Sequence, residues 1–418
     1  MDWIVADLVA DAYRRSSLTR NVIDRAGVPA HQVRGVGDLN RLPVTTRREY
    51  FADSRLGLRM GTRVDRCHRV RTTGTTGSPL VVYMNRLEFL YRQLQVFRGM
   101  RSGVRLTVPL TISSVGVNVP RAQAARSNPL ERVGLARVRK IPRSLSSEEQ
   151  ARRLVDQPAQ ILTGAPSSLE LVAEAMQRLD LRLPSPPSVV SPRGEMLRWE
   201  ARALLAETFG CPVVDQYNCE EIGNIAWECP AETGVYHVNT DACVLETVDD
   251  EGAPVPTGVE GRVVVTNLFN RTMPFIRYDL GDRAVFRETP RDRCACGHRG
   301  PTLAALLGRL DDFILLSSGE RVSPRTIVGC VYRGSQRDVA EPSYFVRRFR
   351  VIQDEPNAIR VLVVPAEDAP ADLDARIRLE CQALESGLRV DVERVGEIPG
   401  EPTDKARVVL SNLSDGAS

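Results

Sequence analysis

The chain has 418 residues, 42% of them hydrophobic, enough to bury a large core and to form two or three domains. Its 56 basic and 53 acidic residues leave a net charge of +3, with no excess that would mark nucleic acid or an anionic membrane as the main partner. Among the basic residues only Lys140 and Lys405 are lysine, so an ammonium stands out wherever a compact cation is required.

The N-terminal run MDWIVADLVADAYRRSS has no basic start, and acids interrupt its apolar positions. It reads as neither a signal peptide nor a membrane span, and the expectation is a cytoplasmic protein. Residues 1 to about 65 read as polar helices, with Leu42-Pro43 ending one element and Thr45 or Thr46 capping the next. A Gly-rich run, Arg71-Thr72-Thr73-Gly74-Thr75-Thr76-Gly77-Ser78-Pro79, precedes a predicted strand Leu80-Val81-Val82-Tyr83. From about 160 a β-α-β rhythm sets in. Its parts are a strand over 160–163, a helix opened by Pro166, a strand over 188–191, a turn at Arg193-Gly194, a helix over 197–209 and a strand over 212–217. After about 235 short strands broken by Gly and Pro take over, among them 262–266 and 274–278. Beyond Gly308-Arg309-Leu310-Asp311 the pattern predicts a hairpin over 313–322, strands near 348–353 and 358–364, a helix near 371–386 and a strand over 388–395. The expected fold is α/β: a large N-terminal domain of wound α/β sheets over 1–309, β-rich over about 225–305, and a small α+β C-terminal domain over 310–418.

Four motifs carry candidate chemistry. The run Thr73–Gly77 lets backbone N–H groups and hydroxyls converge on an anion, although the Gly-Lys-Ser/Thr of a P-loop is missing. Asp215-Gln216-Tyr217-Asn218-Cys219-Glu220-Glu221-Ile222-Gly223 follows a predicted sheet strand, where an aromatic ring can stack on a base and a carboxylate can hold Mg²⁺. Asp282 and Arg309, each beside a glycine turn, can reach ribose or phosphate oxygens. The nine cysteines have no regular spacing and do not make a secreted disulfide framework. Cys229, His237, Cys294 and Cys296 offer three thiolates and an imidazole, the donors of a closed tetrahedral Zn²⁺ site. Cys-x-Cys is tighter than usual and His298 competes, so reduced, metal-free cysteines remain the alternative. Cys67, Cys211, Cys243, Cys330 and Cys381 read as core, and His31 and His68 as surface.

In this order the segments resemble the adenylate-forming ligases, specifically the phenylacetate-CoA ligase branch. The likeness runs through LPVTTRREY, TTGTTGSP, ILTGAPSSL, GEML, DQYNCEEIG, the tract ECP to YHVNTD, GVEGRVVVTNLFNRTMPFIRYDLGD, CACGHRGP, GRLDDFILLSSGERVSP and PTDKARVV. It implies that Thr73, Gly74, Thr75, Thr76 and Gly77 embrace the ATP phosphates, and that Gly194, Glu195, Asp215, Gln216 and Tyr217 line the adenine. It further implies that Glu221 holds Mg²⁺, that Asp282 and Arg309 take the ribose, and that Lys405 serves the adenylation step. Asp311 would be the hinge of a mobile C-terminal domain. Similar Cys/His tracts in that branch strengthen the structural Zn²⁺ reading. The implied reaction activates a small, aromatic carboxylic acid as acyl-adenylate and passes it to CoA; an amine, a hydroxyl or a carrier-protein thiol is the alternative acceptor, and a homodimer is left open. The chain departs from the family at Ser78, where many relatives carry lysine, at Asn218-Cys219-Glu220 in place of Gly-Leu-Ser/Thr, and at Val328, where glutamate is common; residues 108–133, expected as pocket wall, match poorly. The NCEE segment supports an alternative of another class, a non-catalytic nucleotide-binding interaction protein, against which Asp282, Arg309 and Lys405 argue.

Overall fold

Ile161–Gly164 and Val189–Pro192 are short runs buried along their whole length, as strands of a sheet covered on both faces must be. They form a parallel sheet with Leu110–Val117 and Ala136–Pro142, in the order 136–142, 110–117, 161–164, 189–192. The computed structural model describes residues 1–418 apart from 53–55, 73–79, 101–103, 118–128, 288–293, 310–311, 338–343, 386, 400–406 and 414–418, and apart from the side chains of 51, 52, 96, 98–100 and 129. The described residues divide into two units, one of Met1–Leu280 with Ala284–Leu306, the other of Gly281–Arg283 with Leu307–Ser418. Among them no helix is long and apolar enough to cross a membrane.

In the first unit, helices Ser147–Asp156, Pro166–Arg178 and Trp199–Phe209 cover the parallel sheet through Leu154, Leu169, Val172, Met176 and Leu205. Ser146 and Glu149 form a capping box, Pro166 opens its helix, and Gly210 ends the third in the left-handed region at φ 64°. The 212–217 run departs from the strand expected of it. Pro212 has no N–H to give, and the Asp215 N–H is taken by the Glu228 carboxylate at 3.2 Å rather than by a ladder partner. Only single bridges, Val213 to Val190 and Arg193 to Gln216, join the segment to the parallel sheet. The chain then continues as strand Gln216–Cys219 of a second, seven-stranded sheet.

That sheet runs Cys243–Val248, Glu260–Asn267, Tyr278–Phe286, Thr302–Arg309, Glu232–Val238, Gly223–Cys229, Gln216–Cys219. Its core gathers Tyr50, Phe275, Tyr278, Val263, Val265 and Leu303. The expected 274–278 strand begins only at Tyr278, because Arg277 is in the left-handed region at φ 46°. Its guanidinium, 1% exposed, is held by the carbonyls of Leu42 and Gly252 and by Glu246 at 3.2 Å, which compensates a conformation a non-glycine residue rarely adopts. Helices Asp2–Arg15 and Ser17–Ala26 pack Val5, Leu8, Val9, Ala12 and Ile23 onto this unit, with Ser16 capping the second.

The second unit contains the hairpin Ile314–Leu315 with Arg321–Val322, and a sheet ordered Arg389–Arg394, Ala358–Pro365, Val346–Glu355, Val409–Ser411. Helices Pro324–Ser335 and Leu373–Gln382 close its core of Ile327, Val331, Phe349, Val361 and Ile377. Val328 is buried on the first of these helices. Cys243, Cys330 and Cys381 are buried as expected, whereas Cys67 and Cys211 are only half-buried; Cys67 lies beside the short turn 64–66, where its thiol reaches no further than the Arg63 carbonyl.

Candidate functional site

The C-terminal ends of the parallel strands deliver the turn Arg193-Gly194-Glu195, where open α/β sheets bind ligands. Gly194 takes φ 86°, which a side chain would oppose, and the Glu195 carboxylate accepts from the Ser167 N–H at 3.2 Å, at the start of the 166–178 helix. Alongside, the Gln216 amide is held at both ends: Nε2 donates to Ser191 Oγ at 2.8 Å, and Oε1 accepts from Asn224 Nδ2 at 2.8 Å. The Asp215 carboxylate is turned inward, accepting from Tyr236 O–H at 2.7 Å and from the Gln216 N–H at 2.9 Å. Burial pushes its pKa up to about 6, with the Tyr236 hydrogen bond and Arg202 opposing and Glu228 assisting. Of the three, Tyr217 keeps a half-buried ring, while Asp215 and Gln216 fix the backbone path.

Glu221 sits in the turn between strands 216–219 and 223–229, where Cys219 pairs with Gly223 and Gly223 has φ 95°. Its carboxylate is buried, 6% exposed, and accepts from Tyr278 O–H at 3.3 Å. Burial, reinforced by the Glu221 charge, pushes the Tyr278 phenol far above its ordinary range, so it acts as a donor only. Arg47 lies 3.9 Å from Glu221 and donates to Thr72 Oγ1 at 3.1 Å. Thr72 in turn pairs with Leu80, N–H to carbonyl and N–H to hydroxyl, both at 2.9 Å, closing the base of the 73–79 run. Arg92 clamps the neighbouring Glu220 through its carbonyl and its carboxylate. Arg47, Arg92, Tyr236 and Tyr278 emerge only here. Arg47 stands inside LPVTTRREY, where the sequence pattern offers a cap: Thr46 N–H does donate to Glu49 at 2.7 Å.

Asp282 and Arg309 approach each other to 3.8 Å. Thr73, Gly74, Thr75, Thr76, Gly77 and Ser78, the hinge candidate Asp311 and Lys405 lie outside the described residues. Arg407 pairs with Asp312.

Cys229, His237, Cys294 and Cys296 come together from two strands and a loop, with one ligand atom of each within 4.8 Å of all the others. Cys229 Sγ and Cys294 Sγ are 3.5 Å apart, and Cys296 Sγ is 3.2 Å from His237 Nε2. Zinc–sulfur bonds of about 2.3 Å in a tetrahedron place two sulfurs about 3.8 Å apart, so the cluster is shaped for such an ion. Burial, aided by His298, pushes His237 down to about 4, leaving the neutral imidazole that a metal binds. Burial pushes Cys229 up to about 12. At Cys294 burial works in the same direction, but hydrogen bonds from the Cys296 backbone and from the Cys229 and Cys296 thiols outweigh it and lower the pKa. His298 packs its ring 4.5 Å from that of His237 and is not one of the four.

No protein-family model matches the chain. A phenylacetate-coenzyme A ligase of Thermus thermophilus is 26% identical over 329 residues, covering 77% of this chain and 72% of that protein. A phenylacetate-coenzyme A ligase of Aromatoleum evansii is 25% identical over 393 residues, covering 92% and 84%. Among solved structures, a 2-hydroxyisobutyryl-CoA ligase in the postadenylation state, in complex with R3-HIB-AMP, matches 98% of this chain and 88% of its own, with a TM-score of 0.78 at 18% identity. The anthranilate CoA ligase AuaEII in complex with anthranoyl-AMP matches 82% and 66%, with a TM-score of 0.58 at 17% identity. At such identities the structural likeness speaks for the fold.

Proposed function

We propose that this chain, a homologue of phenylacetate-CoA ligases with the fold of the adenylate-forming acyl-CoA ligases, activates a small aromatic carboxylic acid with ATP and transfers the acyl group to CoA. The observation that carries this reading is the placement of Glu221: a buried carboxylate at the end of the Gln216–Cys219 strand, with Arg47 joining it to the base of the 73–79 run. In the first half-reaction a carboxylate oxygen attacks the α-phosphorus, and the bond to the bridging oxygen breaks as pyrophosphate leaves with the electron pair. In the second, the CoA thiol loses its proton, its sulfur bonds to the acyl carbon, and the acyl C–O bond breaks as AMP leaves with the electron pair.

Both reactants of the first step are anions, so the site must supply positive charge and donors. Thr73, Gly74, Thr75, Thr76 and Gly77 would wrap the phosphates, Gly194, Glu195, Asp215, Gln216 and Tyr217 would line the adenine, and Asp282 with Arg309 would take the ribose. Lys405 would donate to the carboxylate and the phosphate oxygen together, and Asp311 would be the hinge that exchanges this lysine for the 313–322 hairpin between half-reactions. Glu221 suits Mg²⁺, being a hard carboxylate with one O–H donor at 3.3 Å and oxygen lone pairs to spare; bound there, Mg²⁺ would neutralise phosphate charge. Cys229, His237, Cys294 and Cys296 suit a closed structural Zn²⁺, whose full set of protein ligands leaves no position for chemistry. Cytoplasmic thiols stay reduced, as such a site requires.

Acid-dependent exchange of labelled pyrophosphate into ATP, run across a panel of aryl and alkyl acids, tests the adenylation. Exchange with at least one acid is expected, followed by thioester formation when CoA is added. ATP binding without exchange for any acid would refute it. Product formed with an amine or a carrier protein in place of CoA would move the acceptor.

A further inference from the structure

Gln95 lies on the helix Arg86–Met100, one turn after Arg92 and on the same face. While Arg92 grips Glu220, Gln95 rests on the other end of the same turn: a Cβ built on Gly223 would meet Gln95 Oε1 at 3.0 Å and the Arg92 side chain at 3.4 Å. The turn 219–223 that bears Glu221 is thus backed by this helical face. Gln95 is 5% exposed, and among the described residues neither Oε1 nor Nε2 has a hydrogen-bond partner. A buried side-chain amide that makes none of its hydrogen bonds destabilises the fold, and leucine at this place would avoid the cost. Phe269 adds an aromatic wall, its ring 5.1 Å from that of Tyr91 and its edge 3.9 Å from the Gly223 Cβ position. The turn that bears Glu221 is therefore backed, at Gly223, by an apolar ring and by one buried amide whose donor and acceptor are unused among the described residues.

We propose that Gln95 is a specificity-determining residue of the acid site, and that the substrate is an acid carrying a hydroxyl, or an equivalent donor–acceptor group, at the end remote from its activated carboxylate. This rests on the adenylation reading. In this proposal an acid whose carboxylate meets the phosphate near Glu221 would extend its far end along the same turn, toward Gln95 and Phe269. A hydroxyl there accepts from Nε2 or donates to Oε1 and satisfies what the free protein leaves open. An unsubstituted ring strands the amide, and a site built to hydrogen-bond a hydroxyl discriminates strongly against the analogue that lacks it.

The experiment compares kcat/KM for pyrophosphate exchange between matched acids: benzoate with its three hydroxybenzoates, and phenylacetate with the hydroxyphenylacetates. Wild type is expected to favour at least one hydroxylated acid over its parent by about 10- to 100-fold, and Gln95→Leu to erase that preference by lowering exchange with the hydroxylated acid and raising it with the parent. Thermal unfolding guards the variant. With no partner lost, Gln95→Leu should melt at or above the wild-type temperature, and a markedly lower one would show a structural partner for the amide and overturn the proposal. Parent acids used as well as the hydroxylated ones, or a preference that survives in Gln95→Leu, would overturn it and leave adenylation standing. Absence of exchange with every acid would overturn the adenylation reading itself, and this proposal with it.

Discussion

Replacing Asp215 by asparagine should make the protein more stable at neutral pH. The carboxylate is buried among Tyr236, Gln216, Glu228 and Arg202, and burial raises its pKa from 3.8 to about 6. A raised carboxylate pKa means that the folded state holds its proton more tightly than the unfolded state. Its contribution to stability is complete below the unfolded value and is lost as pH rises through the folded one. Two units at 1.36 kcal/mol each make the ionised group cost on the order of 3 kcal/mol. Asparagine keeps an acceptor for the Gln216 N–H and a partner for the Tyr236 hydroxyl, and has no charge to bury. The expected gain of Asp215→Asn is therefore about 1 kcal/mol at about pH 4.5, rising to about 3 kcal/mol at about pH 7.5. Urea unfolding followed by tryptophan fluorescence measures it cleanly, because Trp3, Trp199 and Trp227 all belong to the first unit. A variant less stable than wild type at neutral pH, or a gain that does not change across this range, would refute the reasoning.

Cys294→Ser should reduce bound zinc from close to one equivalent per chain to nearly none and lower the fluorescence-detected unfolding midpoint; wild-type protein that is metal-free and equally stable would dispose of the site. Lys405→Arg should slow acyl-adenylate formation about 10²- to 10³-fold, since a planar fork does not replace a compact ammonium, yet still pass a supplied acyl-adenylate to CoA. Loss of both half-reactions would make Lys405 structural. Arg47→Ala should raise the KM for MgATP about tenfold through loss of the link between Glu221 and Thr72, and an unchanged KM would break that connection.

Local pattern made much of the fold legible. The helix opened by Pro166, the helix ending at Phe209 and the 313–322 hairpin all follow from residues a few positions apart. The four donors of the cysteine cluster were legible for another reason: they are rare residue types, and their gathering follows from their chemistry even though Cys229 and Cys294 are 65 positions apart. What the sequence concealed depends on distant partners. Arg277 ends a run that reads as strand because Glu246 and two carbonyls hold it in a left-handed conformation. Asp215 sits in a motif that suggests contact with a ligand, and nothing local shows that its carboxylate also accepts from the distant Tyr236. Arg47, in the same way, is marked by nothing local as a neighbour of Glu221.

The cysteine cluster and the segment proposed to line the adenine meet in one pair of strands. In the hairpin of Gly223–Cys229 and Glu232–Val238, Glu228 lies opposite Tyr236, and Trp227 lies opposite His237. Side chains alternate across a sheet, so the Glu228–Tyr236 pair faces one way and the Trp227–His237 pair the other. The first pair holds the Asp215 segment: Tyr236 donates to its carboxylate, and Glu228 accepts its N–H while pairing with Arg202 at 2.6 Å. The second carries the imidazole of the cluster, and two residues on from Trp227, Cys229 supplies a thiol. A one-residue slip of this pairing would exchange the two faces and empty both sites at once. Ligation of Cys229 and His237 would pin the register, and the register sets where Asp215, Gln216 and Tyr217 stand. A metal that takes no part in the chemistry would in this way still act on nucleotide binding, so Cys294→Ser should raise the KM for ATP by a larger factor than it lowers kcat.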